Sequence, residues 1–187
     1  MRNDKVVRIY TDGGCAGNQS ENNLGGWGAV LEFGIGGGAA TKEMYGSEAN
    51  TTNNRMEMMA LLEAFRAIKK EGQTIQVFSD SSYLMDCFRQ KWYVNWQKNG
   101  WKNAKKQPVE NQDLWKELLP YLDRHDITFY RVKGHVNLNS QVTNFEKLYD
   151  KFVEWNGNEF SFEEFRYITE KNNRADELAN AGIDEIR

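Results

Sequence analysis

Cysteine is scarce. Cys15 and Cys87 are the only two in 187 residues, which excludes a disulfide scaffold and favours free thiols in a reducing compartment. Long apolar runs are missing too. Nothing approaches the roughly 18 residues needed to span a bilayer, and the opening MRNDKVVRIY lacks the apolar core of a secretory leader. A cytoplasmic chain with no membrane association is expected. There is no internal repeat and no low-complexity linker, and the length suits one domain over residues 1–187. A large charge of either sign is also lacking. The net charge of -3 taken alone argues mildly against a nucleic-acid partner. Its distribution argues otherwise. Between Arg89 and Lys106 stand Arg89, Lys91, Lys98, Lys102, Lys105 and Lys106 with no acid among them, a basic segment on an acidic protein.

The remaining pattern is that of an α/β domain. Lys5 to Thr11 is β-branched and aromatic, and predicts a strand ended by the turn-like Asp12-Gly13-Gly14. Gly25 to Phe33 predicts a second strand, Gly34 to Gly38 a turn, and Ala39 to Ser47 a third strand. Thr51 to Asn54 supply N-cap candidates for a helix reaching Lys70 and closed by Gly72. A strand over Thr74 to Ser79, a helix from Ser81, helices over Trp92 to Gly100 and Asn111 to Arg124, and a strand over Ile127 to Val132 follow. Arg174 to Ile183 predicts a short final helix. Three successive strands and then alternating helix and strand imply a five-stranded mixed sheet flanked by helices. Residues 137–172 stand apart. Phe145, Leu148, Tyr149, Phe152 and Val153 recur at helical spacing, and a capping box at Ser161 and Glu164 opens a further helical stretch. This predicts an inserted pair of short helices. Because they carry more acids than bases, they suit a protein contact or structural ornament better than nucleic acid.

Four acids lie where acids are expensive. Asp12 and Asp80 each follow an apolar strand, at the end where ligand sites of α/β sheets gather. On neighbouring strands, about 4.8 Å apart, they could share an ion; each could equally be a turn or cap aspartate. Glu57 shares a helical stripe with Leu61, Ala64 and Ile68, and Asp176 shares one with Ala179 and Ile183. An inward-facing carboxylate needs a basic partner or a cation. No apolar face carries a matching set of bases, which favours the cation. An all-oxygen set suits Mg²⁺ or Mn²⁺ rather than zinc, and two such ions can assist an in-line phosphodiester displacement.

With these residues in view the chain resembles type 1 ribonuclease H along almost its whole length. The matching blocks are YTDGGCAGN (Tyr10 to Asn18), TTNNRMEMMAL (Thr51 to Leu61), FSDSSYL (Phe78 to Leu84), NWQKNGWKNAKKQPVENQDLW (Asn95 to Trp115), VKGH (Val132 to His135) and NNRADELA (Asn172 to Ala179). The resemblance implies a ribonuclease H-like fold and an endonuclease that hydrolyses the RNA strand of RNA–DNA hybrids. It implies two Mg²⁺ ions in the catalytic complex, with Mn²⁺ as an alternative, and products with 5′-phosphate and 3′-hydroxyl ends. Metal ligation falls on Asp12, Glu57, Asp80 and Asp176, and an auxiliary catalytic role on His135. Asn18, Asn53 and Asn54 match positions that contact the hybrid's minor groove, where RNA shows its 2′-hydroxyls. Thr52 and Asn111 match positions that hold a DNA phosphate, and Trp92 one that lines the DNA-strand channel. The basic segment resembles the family's protruding handle, with Trp96 and Trp101 expected to anchor it to the core.

The chain departs from that pattern between His135 and Asp176, where compact bacterial members have a short loop and residues 137–172 stand here. A monomer is expected, with the inserted segment as the surface for any protein partner. Two other readings fit the same fold: an inactive hybrid-binding module, or a nuclease of this fold acting on DNA. The four acids speak against the first, and Thr52 with the asparagines against the second.

Overall fold

β-branched and aromatic side chains fill the first strand, and the strands that flank it build on its two edges. The computed structural model describes residues 6–16, 23–34 and 40–187. Its elements run β1 (Val6–Ala16), β2 (Leu24–Phe33), β3 (Ala40–Ala49), α1 (Asn53–Ala67), β4 (Thr74–Ser79), α2 (Ser82–Arg89), α3 (Trp92–Lys98), α4 (Gln112–Arg124), β5 (Asp126–Arg131), α5 (Phe145–Asn156) and α6 (Phe162–Ile186). The sheet order is β3-β2-β1-β4-β5. β1 to β3 pair antiparallel, and β4 and β5 join in parallel. The predicted five-stranded mixed sheet is what forms; the turn proposed over Gly34 to Gly38 lies largely outside the described residues.

Two cores sit on the two faces of this sheet. On one, Ile9, Leu31 and Val77 meet Leu61, Ala64 and Phe65 of α1 and Trp115 and Leu118 of α4. On the other, Tyr10, Val30 and Phe78 meet Phe152 of α5, Phe160, and Phe165, Ile168, Ala175 and Leu178 of α6. The 137–172 segment therefore supplies a large part of the second core, which corrects its reading as an ornament. Its polar residues are built in as well. Arg8 of β1 and Glu32 of β2 are cross-strand partners and both are buried. Tyr10 and Tyr167 donate their hydroxyls to Glu32, and Arg8 donates to Gln76 at 2.9 Å and to Glu164 at 3.2 Å. Such groups are tolerable inside only because each has a partner. Asn156 finishes the edge: it accepts from Arg131 N at 2.9 Å and donates to Arg131 O at 2.7 Å, pairing the outer side of β5 as a strand would.

Several boundaries differ from expectation. β1 does not stop at Thr11 but runs on to Ala16 against β2. What stops is its parallel pairing with β4, at Thr11 opposite Ser79. α1 ends at Ala67 rather than Lys70, and Gly72 is a left-handed turn residue further on. The largest difference is at the C-terminus. The predicted short helix from Arg174 is the second half of the 25-residue α6, capped by Ser161, whose side chain accepts from Glu164 N. The helical stretch expected after Ser161 and the last helix are one.

Candidate active site

The end of the β1–β4 pairing places two acids together. Thr11 and Ser79 are the last parallel partners, so Asp12 and Asp80 emerge side by side. Thr52 caps α1 by accepting from Arg55 N at 3.1 Å, which sets the helical phase so that Glu57, Leu61, Ala64 and Ile68 all turn inward. Asp176 comes from the middle of α6, which lies close on β2. A Cβ on Gly28 would run into the Ala175 carbonyl, and one on Gly26 into that of Ala179. These glycines, alternating on one strand face, let the helix approach near enough to deliver its acid. Gly134 does the same for the loop after β5, where a Cβ would strike the Asp80 carboxylate.

Asp12, Glu57, Asp80, His135 and Asp176 consequently line one cleft of 470 Å³, with Asn53, Asn54 and Cys15 on its walls. Ligand atoms of Asp12, Asp80 and His135 lie within 4.8 Å of one another. His135 Nδ1 stands 3.3 Å from Asp176 Oδ2. The electrostatics are strained. Burial, and then the neighbouring Asp80 charge, push the Asp12 carboxyl up to about 8. Glu57 is raised by the same causes, burial first and then Asp80 and Asp12.

The donor set fits a divalent cation. Glu57 is 6% exposed, and its Oε2 has no hydrogen-bond partner. A buried, unpartnered carboxylate oxygen facing two more carboxylates is costly unless a positive charge neutralises it. The salt-bridge alternative for these acids finds no support, since the described residues give none of the four a Lys or Arg partner. With all oxygens on the acids, a hard cation is the appropriate guest.

A second region continues from this cleft. Asn54 and Tyr83 line both it and a neighbouring cavity of 620 Å³ bounded by Trp92, Trp96, Asn99 and Lys102. Trp96 stacks edge-on against buried Trp115 at 5.5 Å and lies 6.2 Å from Trp101, so both anchor the protrusion to the core as expected. Thr52 and Asn111 are joined through Arg55, a residue that sequence reasoning passed over. Arg55 N donates to Thr52 Oγ1, its Nη1 reaches Asn111 Oδ1 at 3.2 Å, and the guanidinium forks onto Asp113. Asn111 adopts a left-handed backbone (φ 60°) just before α4. Asn18 lies outside the described residues. No described helix is long and apolar enough to cross a membrane.

Known proteins resemble this chain in sequence and fold. The family model described as RNase H matches residues 4–154. A ribonuclease H of Moorella thermoacetica is 42% identical over 183 residues, covering 98% of this chain and 95% of its own. One from Syntrophomonas wolfei is 51% identical over 131 residues, 70% of this chain and 85% of its own. Among solved structures, LC9-RNase H1, a type 1 RNase H with the type 2 active-site motif, superposes with a TM-score of 0.69 at 27% identity, covering 97% of this chain and 73% of that one. The chain belongs to the ribonuclease H family.

Proposed function

We propose that this ribonuclease H hydrolyses the RNA strand of RNA–DNA hybrids with two divalent cations, Mg²⁺ in the first instance, held by Asp12, Glu57, Asp80 and Asp176. The observation that carries the reading is the convergence of these four acids, one of them buried with a carboxylate oxygen that has no partner, on a cleft beside a basic, aromatic protrusion. Bound cations supply Lewis-acid stabilisation for the attacking and departing oxygens of the scissile phosphate. The residues of the chain do the rest. Asn53 and Asn54, on the cleft wall, present amides that both donate to and accept from 2′-hydroxyls; Asn18 is assigned the same task from the sequence. Thr52 and Asn111, bridged by an Arg55 whose charge is already paired with Asp113 and Glu48, are assigned one DNA phosphate from the sequence. Trp92 and Lys102 line the path of the DNA strand beyond it. With Nδ1 turned to Asp176, His135 has Nε2 left to exchange a proton with water or the departing product. Cleavage between these contacts leaves a 5′-phosphate and a 3′-hydroxyl.

An end-labelled hybrid incubated with and without Mg²⁺, alongside Asp80→Asn, tests the reading. Metal-dependent cutting of the RNA strand, lost in the variant, is expected. Cutting that ignores Mg²⁺ or survives in Asp80→Asn would refute the mechanism, and digestion of the DNA strand would refute the substrate.

A further inference from the structure

His135 sits where a side chain is hard to hold. Its imidazole is 70% exposed and approaches Asp176 at 3.3 Å, and its backbone is left-handed at φ 56°, a conformation that costs energy outside glycine. A loop in that state, followed by the long connection to α5, would sample several arrangements unless something outside it fixed the backbone. The structure contains such a fixture. Asn173, on α6 one turn before Asp176, donates its side-chain amide to the carbonyl of Val136 at 2.6 Å. Val136 is buried beside it, so the bond is shielded from competing water on that side. Residues 173 and 176 lie on the same face of the helix. One rigid element therefore holds the residue after His135 by its backbone and His135 itself through the ring.

We propose that Asn173 is a positioning residue for His135: its amide locks the His loop to α6, so that imidazole and Asp176 are fixed as one body. This rests on the reading of His135 as part of the catalytic site. It also explains how a long stretch of chain can separate His135 from Asp176 without loosening the pair, because the helix reaches back to the near end of that stretch.

The test compares full-length wild type, Asn173→Ala, His135→Ala and the double variant, measuring kcat and KM on a hybrid substrate across a Mg²⁺ titration. Alanine is a good helix former, so α6 persists. Asn173→Ala is expected to lower kcat about five- to tenfold, as the loss of one part-buried hydrogen bond that positions a catalytic group does. KM and the Mg²⁺ half-saturation should not move, and the double variant should be no slower than His135→Ala. If His135→Ala is slow but Asn173→Ala turns over at the wild-type rate, the proposal is overturned. The same holds if Asn173→Ala slows the His135→Ala background by its full factor. A wild-type kcat in His135→Ala instead overturns the reading of His135 itself. The chain has only two histidines, so the His135 ring signals are assigned in NMR spectra by their loss in His135→Ala. Asn173→Ala should shift and broaden them; signals unchanged in position and width would overturn the proposal independently of turnover.

Discussion

Asp80→Asn should make the metal-free protein more stable while it disables the enzyme, and the size of the gain can be worked from the site. Ligand atoms of Asp12 and Asp80 lie within 4.8 Å. At an effective dielectric of about 20, two unit charges at that separation repel by about 3 kcal/mol. Asp80 is partly exposed, which reduces the effect to about 1–2 kcal/mol. For a chain of this length that is roughly 3–6 °C in Tm. The pH dependence has a definite sign. The Asp12 carboxyl titrates at about 8 in the fold against 3.8 ordinarily. A raised carboxyl pKa means the unfolded chain loses its proton first. The contribution of Asp12 to stability is therefore complete below about pH 4 and is lost as pH rises to about 8. Removing the Asp80 charge shrinks that loss. Thermal melts in EDTA should show the variant level with wild type near pH 5 and several degrees above it at pH 9. Added Mg²⁺ should close the gap by stabilising wild type more. A variant less stable than wild type at pH 9, or a gap independent of pH, would refute the account of the carboxylates as a repelling cluster.

Two other perturbations reach different parts of the molecule. His125 is buried, accepts from Gln73 N at 3.1 Å, and is held below its ordinary pKa chiefly by burial. As pH falls below 6.5 the unfolded chain gains a proton that the folded one refuses, so stability drops toward the depressed folded pKa. His125→Asn keeps an acceptor for Gln73 and should flatten the Tm profile on the acid side of about pH 6.5; an unchanged acid limb would contradict this. Deleting residues 139–170 removes Phe152, Phe160, Phe165 and Ile168 from the second core. At about 1.5–3 kcal/mol for each buried side chain, that approaches the whole stability of a domain. The expected product has no cooperative melt, and a folded deletion with intact Mg²⁺ binding would show the segment to be dispensable.

Much of the site was legible because two periodicities carry it. Glu57 reads as inward-facing from the 3.6-residue stripe it shares with Leu61, Ala64 and Ile68, and burial of all four bears that out. Asp12 and Asp80 were located correctly for a slightly wrong reason: β1 continues, and only its parallel neighbour stops. What stayed hidden depends on contacts between distant segments. Arg55 looks like a solvated helix residue until the fold brings Asn111 and Asp113 beneath it. Arg8 and Glu32 look like solvent-facing strand charges, and only strand register and the later arrival of Tyr167 and Glu164 show them to be interior. The unbroken α6 was missed because Lys171-Asn172-Asn173 suggests a helix boundary by propensity. In the fold Asn172 is buried and Asn173 is bonded to Val136, and tertiary contacts outweigh local preference.

The continuity of α6 changes what residues 137–172 mean for catalysis. Had the last helix begun at Arg174, Asp176 would sit in its first turn, held by little upstream. Instead the acid lies mid-helix, with Phe165 and Ile168 fixed in the second core on one side of it and Ala179 and Ile183 buried on the other. Gly26 and Gly28 admit the helix to contact distance with β2 along the same length. A side chain anchored from both directions along a rigid helix is displaced less by a local change than one at a frayed end. The aromatic segment that separates His135 from Asp176 in sequence is thus part of what holds Asp176 in place. Its burial against Tyr10, Phe78 and Tyr130 ties the stability of the sheet to the position of the fourth acid.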